Sequence, residues 1–357
     1  MTNKNSTQFL GYLHSFRGFA IINIVLIHAV VAALVAIESM NMSNPIAVVN
    51  EVLFHDSTLY FAVISGLLYT AILKEKGYKR FYINKLKYVI LPYLFLTALV
   101  TIFKLGNQEE GSTQPAVLFY FETLFRDLLY GKANALFWYI PVLIFLYLVT
   151  PIVDFLINLK GVGKVFLILL MLAPLVVSRI QMAFEYILSI QTMIYFTGAY
   201  TVGMYLGTDL DNKLSWVKKQ SIPLLILSVL ATGVLFYLYL QDIDMYGFIS
   251  LKETAFYVQK ICLSGIFIVM FKNLGEKQPG WLHKVARDSF GIYFLHGFFV
   301  FGGIPLFMFL LGYKAISPFN TIVGSVVLLL FSMGVSMLIV LGFRKLMGKN
   351  SRMLVGS

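Results

Sequence analysis

Apolar runs of about 20 residues alternate with short polar segments along the whole chain. A helix of that length crosses the ~30 Å hydrocarbon core of a bilayer, because each residue adds ~1.5 Å. The pattern therefore predicts an all-α, polytopic membrane protein with about ten transmembrane helices in a single domain, 1–357. The predicted helices are about 16–37, 52–73, 88–105, 136–157, 165–180, 190–207, 221–240, 254–271, 290–311 and 321–343.

Positive charge between the apolar runs predicts how the helices are oriented. Lys and Arg concentrate in every second polar segment, and these segments together hold 21 of the 28 basic residues. Cytoplasmic loops collect positive charge, so both termini are predicted to lie in the cytoplasm. The amphipathic stretch VLFYFETLFRDLLY is predicted either as an outer loop or as a helix along the outer interface. The basic segments are 1–17, 74–87, 158–164, 208–220, 272–289 and 344–357.

Composition supports this class of protein and excludes others. Hydrophobic residues make up 59% of the chain and charged residues only 13%, which is too little charge for the surface of a soluble protein of this size. The net charge of +11 follows from the basic segments and does not by itself indicate a nucleic-acid partner. Cys262 is the one cysteine, so no intramolecular disulfide can form. The sequence contains no metal-ligand motif, no Gly-rich phosphate loop and no serine triad.

The first apolar run contains two costly side chains, Arg17 and His28, in the stretch RGFAIINIVLIHA. The intervening helix advances ~16 Å and leaves the two side chains about 20° apart, on one face. Arg17 is predicted at the cytoplasmic interface, where a guanidinium suits a phosphate or a carboxylate. His28 is predicted near mid-membrane, where an imidazole suits proton transfer or brief acyl carriage. The alternative is an interfacial Arg and a packed His without chemistry.

The most basic segment begins the stretch KEKGYKRFYINKLKYVILPYL, residues 74–94. Its Lys and Arg residues surround the single acidic residue Glu75. This charge predicts either contacts with lipid headgroups or a landing site for a polyphosphate donor such as coenzyme A. The basic residues of the segment are Lys74, Lys76, Lys79, Arg80, Lys85 and Lys87.

Two further polar residues are candidates for the wall of a cavity around His28. His296, in SFGIYFLHGFF, lies ~10 Å into its helix from the cytoplasmic end, at a depth that His28 would face. Asn23 lies in the same apolar run as His28. The alternative for each is a side chain that a neighbouring helix satisfies.

Two pairs of residues belong to the predicted outer half of the protein. Glu253 and Lys260 share one helix face and are predicted either as a structural pair or as the lining of a cavity. Trp138 and Tyr139 are the second and third residues of the stretch FWYIPVLIFLYLVTP, which is rich in aromatic residues at a membrane edge. They are predicted either as part of an interfacial aromatic belt or as a stacking floor for a sugar.

Several of these stretches resemble the acyltransferase family three of integral membrane proteins, which O-acylate cell-envelope glycans and other extracytoplasmic acceptors. The most specific element is an Arg–Gly pair and a His that is separated from the Arg by ten residues, and Arg17, Gly18 and His28 match it. The resemblance implies ten membrane spans, an acyl group taken from cytoplasmic acyl-coenzyme A, and a need for Arg17 and His28. We expect acyl-coenzyme A as co-substrate, no bound cofactor and no metal. The stretches are YLHSFRGFAIINIVLIHA, FAVISGLLYTAILKEKGYKRFYINKLKYVILPYL, FWYIPVLIFLYLVTPIV and SFGIYFLHGFF.

The chain also departs from the family pattern. Members often carry Asp three residues before the Arg, where this chain has His14. They commonly carry two arginines, three residues apart, before the proline of the third span, where this chain has Lys85 and Tyr88. Many relatives also have an extracytoplasmic esterase-like domain, which we do not expect here because the chain ends fourteen residues after its last predicted span. The residues predicted to bind the donor are Arg17, Arg80, Lys85, Lys87 and Tyr88.

The sequence thus predicts a membrane O-acyltransferase. Its acyl group, for which acetyl is the commonest choice, passes from acyl-coenzyme A to a hydroxyl of a cell-envelope glycan or lipid-linked sugar. His28 is predicted as general base or transient acyl carrier, and His296 as a group that orients or polarises the thioester. The implied partners are the acceptor glycan, membrane lipid and envelope-glycan synthesis proteins, in a bacterial cytoplasmic membrane. The alternatives are a transporter or flippase of a glycan precursor or small anion, and a structural subunit of an envelope-synthesis complex.

Overall fold

The structure is a computed structural model, and it describes residues 4–36, 44–107, 115–179, 189–311 and 318–356. Almost all of these residues are helical, because a segment in hydrocarbon must satisfy its backbone groups within the protein. Two short strands, β1 (Met245–Tyr246) and β2 (Ile249–Ser250), pair antiparallel before α12. The helices are α1 (Lys4–Ala36), α2 (Pro45–Phe54), α3 (Thr58–Leu68), α4 (Gly77–Lys85), α5 (Leu91–Lys104), α6 (Ala116–Tyr130), α7 (Tyr139–Asn158), α8 (Val162–Leu172), α9 (Ile190–Gly207), α10 (Leu210–Lys219), α11 (Ser221–Leu240), α12 (Leu251–Leu274), α13 (Gly280–Arg287), α14 (Ser289–Gly302), α15 (Ile304–Leu311), α16 (Pro318–Met347) and α17 (Arg352–Val355).

The helix pattern confirms the all-α, polytopic membrane class. Within the described ranges, six helical segments are long and apolar enough to cross a membrane. The bounds of α9 and α11 are the predicted ones, 190–207 and 221–240. The count of ten spans and the cytoplasmic placement of both termini stay predictions.

The second predicted run, 52–73, is a broken helix and not a continuous one. A turn at residues 55–57 separates α2 from α3, and in it Asp56 has a φ of 55°. This left-handed conformation is uncommon for a residue with a side chain and costs of order 1 kcal/mol. After the break the chain is helical to Lys76, turns at Gly77, where φ is 76°, and is helical again from α4 to α5. The basic segment 74–87 is thus made of helical turns on both sides of Gly77 and is not an irregular loop.

Side chains of α12 hold the carbonyl groups that this break releases. Gln259 Nε2 donates to Val52 O at 3.1 Å, and Lys260 Nζ donates to Leu53 O at 2.7 Å. A cation suits this position because the carbonyl end of a helix carries partial negative charge. The break in the membrane therefore persists because a neighbouring helix supplies the missing donors.

The fifth predicted run, 165–180, ends as a helix earlier than predicted. A 3-10 turn follows α8 at Pro174, which has no N–H to continue the helix. Tyr257 of α12 donates its hydroxyl to Met171 O at 2.9 Å, so α12 satisfies this helix end as well. The ninth predicted run is likewise divided at Gly303 into α14 and α15.

The amphipathic stretch at 117–130 forms α6, and its apolar side faces outward. Phe121 and Phe125 are exposed, whereas Asp127 is buried and its Oδ2 lies 2.6 Å from Lys104 Nζ of α5. In water a helix would bury its phenylalanines and expose its carboxylate. The exposed apolar face of α6 therefore suits contact with lipid. The stretch is thus a helix and not an irregular outer loop.

Glycines allow α3 and α9 to approach each other closely. A Cβ on Gly203 would overlap the carbonyl oxygen of Val63, and a Cβ on Gly66 would overlap that of Tyr200. Without a hydrophobic force between helices in lipid, such close backbone packing is a main source of association. This contact therefore holds α3 in place after the break.

We expect Gly203→Ala to destabilise the protein by about 1–3 kcal/mol, because the added methyl group overlaps backbone that cannot move aside. The measurement is the thermal unfolding midpoint of purified protein in detergent. Gly233→Ala in α11 is the matched control, since a Cβ there meets no atom within 4 Å. Equal midpoints for both variants would contradict the close contact.

Candidate active site

Helix α1 carries the two side chains that the sequence singles out, and it lies in the middle of the protein. It packs against α2, α3, α12, α13, α14 and α16. Phe16, Ala20 and Ile21 are fully buried in these contacts. Because α1 is unbroken, Arg17 and His28 lie on one face, ~16 Å apart along its axis.

Arg17 is fixed to α13 by two hydrogen bonds. Its Nε and Nη2 donate to Ala286 O at 3.1 and 2.5 Å. The neighbouring Gly18 permits this contact, because a Cβ there would lie 2.7 Å from Leu282 O. The Arg–Gly pair thus has a physical reason: glycine lets α13 approach, and the arginine holds it.

Positive charge exceeds negative charge around Arg17. Lys85 and Arg352 are close enough to repel the charge of Arg17, and the three residues together form the cation cluster. The neighbouring carboxylate is Asp288, which is fully buried. It is already paired with Arg344, whose Nη2 lies 2.5 Å from Asp288 Oδ1. The excess of cations at this end of α1 attracts an anionic ligand.

A second arginine adds to this excess. Arg287 Nε and Nη2 donate to the two oxygens of Asp288 at 3.0 and 3.3 Å. These hydrogen bonds raise the pKa of Arg287, so the side chain keeps its charge. The carboxylate of Asp288 is therefore shared and cannot neutralise the cation cluster.

Aromatic rings position two members of the cation cluster. Arg352 Cζ lies 4.6 Å from the ring centroid of Tyr88, and Lys85 Nζ lies 4.2 Å from that of Tyr147. Sequence reasoning missed Arg352, because it counted only as one basic residue of a cytoplasmic tail. Its role depends on α17, which folds back against α5.

The structure brings only some of the predicted donor-binding residues together. Lys85 lies near Arg17, and Tyr88 lies under Arg352. Arg80 and Lys87 are exposed on the same helical segment. Long cations at exposed positions suit lipid headgroups as well as a donor.

His28 and His296 lie side by side where α1 packs against α14. Their ring centroids are 5.6 Å apart and their planes are inclined by 37°. His28 is half-buried, whereas His296 is fully buried. The Nδ1 atom of His296 lies 3.0 Å from Ile292 O and 2.7 Å from Tyr293 O. The two imidazoles thus lie next to each other in the bundle: the backbone of α14 holds His296, whereas His28 is partly exposed.

The sequence of nearly the whole chain matches one known protein family. The acyltransferase domain model of family 3 matches residues 10–341, nearly the whole chain. The chain belongs to acyltransferase family 3. It is a membrane acyltransferase, an enzyme that transfers acyl groups other than aminoacyl groups. The matched range encloses Arg17, Lys85, His28 and His296 and ends before Arg352. No curated protein and no solved structure matches the chain.

The acyltransferase also contains a buried ion cluster at the break between α2 and α3. Arg179 Nη2 lies 2.6 Å from Asp56 Oδ2, and Arg179 Nε lies 2.7 Å from Glu253 Oε1. Tyr195 donates its hydroxyl to Asp56 Oδ2 at 2.9 Å, and its ring centroid lies 3.8 Å from Arg179 Cζ. The arginine thus joins the turn between α2 and α3 to α9 and α12 through one guanidinium.

The contacts of Arg179 show that the predicted pairing of Glu253 with Lys260 is wrong. Glu253 pairs with Arg179, and Lys260 donates to a backbone carbonyl of α2, so Glu253 and Lys260 are not paired with each other. Sequence reasoning missed Arg179 and Asp56 because they are 123 positions apart and no local spacing links them. The sequence feature that could have indicated this cluster is the position of Arg179 at the end of an apolar run, where a charged side chain needs a partner.

Three further residues that the sequence predicted as cavity candidates, Asn23, Trp138 and Tyr139, contact other parts of the protein. The Asn23 amide donates to Phe19 O at 3.0 Å, within its own helix. Trp138 packs on Tyr139 with ring centroids 5.9 Å apart, and Tyr139 is buried. The Tyr139 ring centroid lies 6.3 Å from that of Tyr293, so Tyr139 belongs to the surroundings of the histidine pair and not to an exposed belt.

We expect Arg179→Gln to lower the stability of the acyltransferase strongly, by about 3–5 kcal/mol, because it leaves two buried carboxylates without their cation. Lys272→Gln is the control, since the Lys272–Asp211 pair is exposed and such pairs contribute little. Thermal unfolding of both variants in detergent measures the difference. Comparable midpoints would show that the buried cluster is not a structural joint.

Proposed function

We propose that this protein moves an acyl group, acetyl in the simplest case, from cytoplasmic acyl-coenzyme A to a hydroxyl of a cell-envelope glycan or lipid-linked sugar. The observation that carries the proposal is the placement of an anion-binding cluster and a histidine pair on one face of α1. The family membership supplies the acyl-transfer chemistry. The host membrane is the bacterial cytoplasmic membrane, with the donor on one side and the acceptor on the other.

The donor binds at the cation cluster through its phosphates. A guanidinium has five N–H groups, and the hydrogen bonds of Arg17 to Ala286 O use two of them. The other three are available to an anion as far as the described residues are concerned. Lys85 and Arg352 add two charges from other segments, which suits a ligand with several phosphates better than a single carboxylate.

The reactive end of the donor then reaches His28. Its imidazole is half-buried and makes no hydrogen bond to another described residue, so its nitrogens are open to a substrate. A neutral imidazole attacks a thioester or accepts the proton of an attacking hydroxyl. An acyl-imidazole is reactive enough to hand the group to an acceptor from the opposite side, directly or through a partner protein.

We expect Arg17→Gln and Arg352→Gln each to weaken binding of coenzyme A by about tenfold or more, because each removes charge-assisted hydrogen bonds. Calorimetric titration of coenzyme A into purified protein in nanodiscs measures the dissociation constant. Lys219→Gln is the control, because Lys219 is an exposed lysine of α10 away from the cluster. Unchanged affinity in Arg17→Gln would contradict donor docking at this end of α1.

We expect His28→Ala to lower acylation of envelope glycans in expressing cells by at least ~100-fold at equal membrane abundance. Coenzyme A affinity should stay within about twofold of wild type, since His28 lies ~16 Å from Arg17. Wild-type acylation in this variant would overturn the role of His28. Substrate flux in vesicles that lack any acyl donor would instead support a transporter.

A further inference from the structure

The hydrogen bonds of His296 define which of its nitrogens carries hydrogen. Both oxygens that face Nδ1 are backbone carbonyls, of Ile292 and Tyr293. A carbonyl only accepts, so Nδ1 must be the donor. A neutral imidazole has a single N–H, and Nε2 is therefore a bare acceptor. The backbone of α14 thus sets the tautomer of His296.

Among the buried polar atoms that have no partner in the described part of the chain, this acceptor is the one ring nitrogen. His296 is fully buried, and its Nε2 has no hydrogen-bond partner among the residues that the structure describes. Leaving a buried acceptor without a partner costs about 1–3 kcal/mol. A lone pair that is held in place and left unsatisfied is what a proton-accepting group requires.

The neighbouring rings indicate where the proton comes from. Tyr293 and His28 are the rings in described contact with His296, at centroid distances of 5.9 and 5.6 Å. Tyr293 donates its hydroxyl hydrogen to Leu136 O, so that hydrogen is not available to His296. His28 makes no hydrogen bond to any described residue, so its N–H is available. A direct N–H···N bond between two imidazoles needs a centroid separation of roughly 5 Å, which a small rotation of the half-buried His28 provides.

We propose that His296 is the fixed base of a two-histidine relay that acts on His28. This inference rests on the proposed function and assigns the proton path of its transfer step. One nitrogen of His28 attacks the thioester carbonyl carbon, the new C–N bond forms and the C–S bond breaks. The proton on the other nitrogen of His28 passes to His296 Nε2 and from there to the departing thiolate. The products are acyl-His28 and coenzyme A as its free thiol.

The second half of the reaction uses the same path in reverse. The acceptor hydroxyl attacks the acyl carbon, the C–O bond forms and the C–N bond to His28 breaks. The hydroxyl proton is taken up by His296 Nε2 and returned to His28, so that both imidazoles end neutral. A neutral His296 cannot polarise the thioester, because its only N–H is held by the carbonyls of Ile292 and Tyr293. The role predicted for His296 from sequence is thereby replaced by that of a base.

The decisive variant is His296→Asn, which separates structure from proton transfer. The amide N–H of asparagine can replace Nδ1–H toward the two carbonyls, but asparagine has no basic atom in place of Nε2. Purified protein in nanodiscs is mixed with excess radiolabelled acetyl-coenzyme A, and label bound to the protein is followed in time. We expect the labelling rate to fall by about 100-fold or more, with unchanged coenzyme A affinity and unfolding midpoint.

Ser332→Ala is the matched control, because Ser332 donates to the backbone oxygen of His296 at 3.1 Å and does not touch its ring. A labelling rate within about threefold of wild type is expected for it. A comparable rate in His296→Asn would overturn the relay and leave the proposed function intact. A wild-type protein that binds coenzyme A but never carries label would also overturn the relay. Failure of wild-type protein to bind coenzyme A would instead contradict the proposed donor.

Discussion

A hydrogen-bonding group at bilayer depth must find its partner within the protein, because hydrocarbon offers none. In this acyltransferase α12 supplies many of those partners. Gln259 and Lys260 hold the carbonyls at the end of α2, and Tyr257 holds one at the end of α8. Helices that would otherwise run straight through the membrane can therefore break, and the breaks place Asp56 and Arg179 inside the bundle.

The buried ion cluster follows from the same constraint. Two carboxylates and the ring of Tyr195 surround the guanidinium of Arg179, and the Tyr195 hydroxyl donates to Asp56, so each charge has a partner of opposite sign or a donor. The net stability that such a cluster contributes is small, because taking the charges out of water offsets much of their attraction, whereas removal of one partner is costly. The cluster joins the turn after α2 to α9 and α12.

The candidate site contains two kinds of incomplete polar group. The cation cluster has more positive charge than Asp288 can balance, and the Nε2 of His296 has no described partner. Both lie against α1, at positions set by Arg17 and His28. An excess of positive charge and an unsatisfied imidazole nitrogen on one helix face together mark a place where a substrate can bind.

The sequence alone determined the class of fold and the central pair. Hydrophobic periodicity is a local property, and so the bounds of α9 and α11 and the shared face of Arg17 and His28 could be predicted from spacing and helical pitch. The Arg–Gly–His signature likewise needs only one helix, so family membership could be predicted and is confirmed by the family match.

Tertiary structure alone decided the rest. The Arg179 cluster and the position of Arg352 depend on segments that meet only after packing, and no spacing along the chain encodes such meetings. The tautomer of His296 depends on the direction in which a buried ring points toward two carbonyls of its own helix. The broken second run depends on donors from α12. The physical reason is the same in each case: local spacing sets which face of a helix a side chain occupies, whereas its partners are set by the helices that pack against that face.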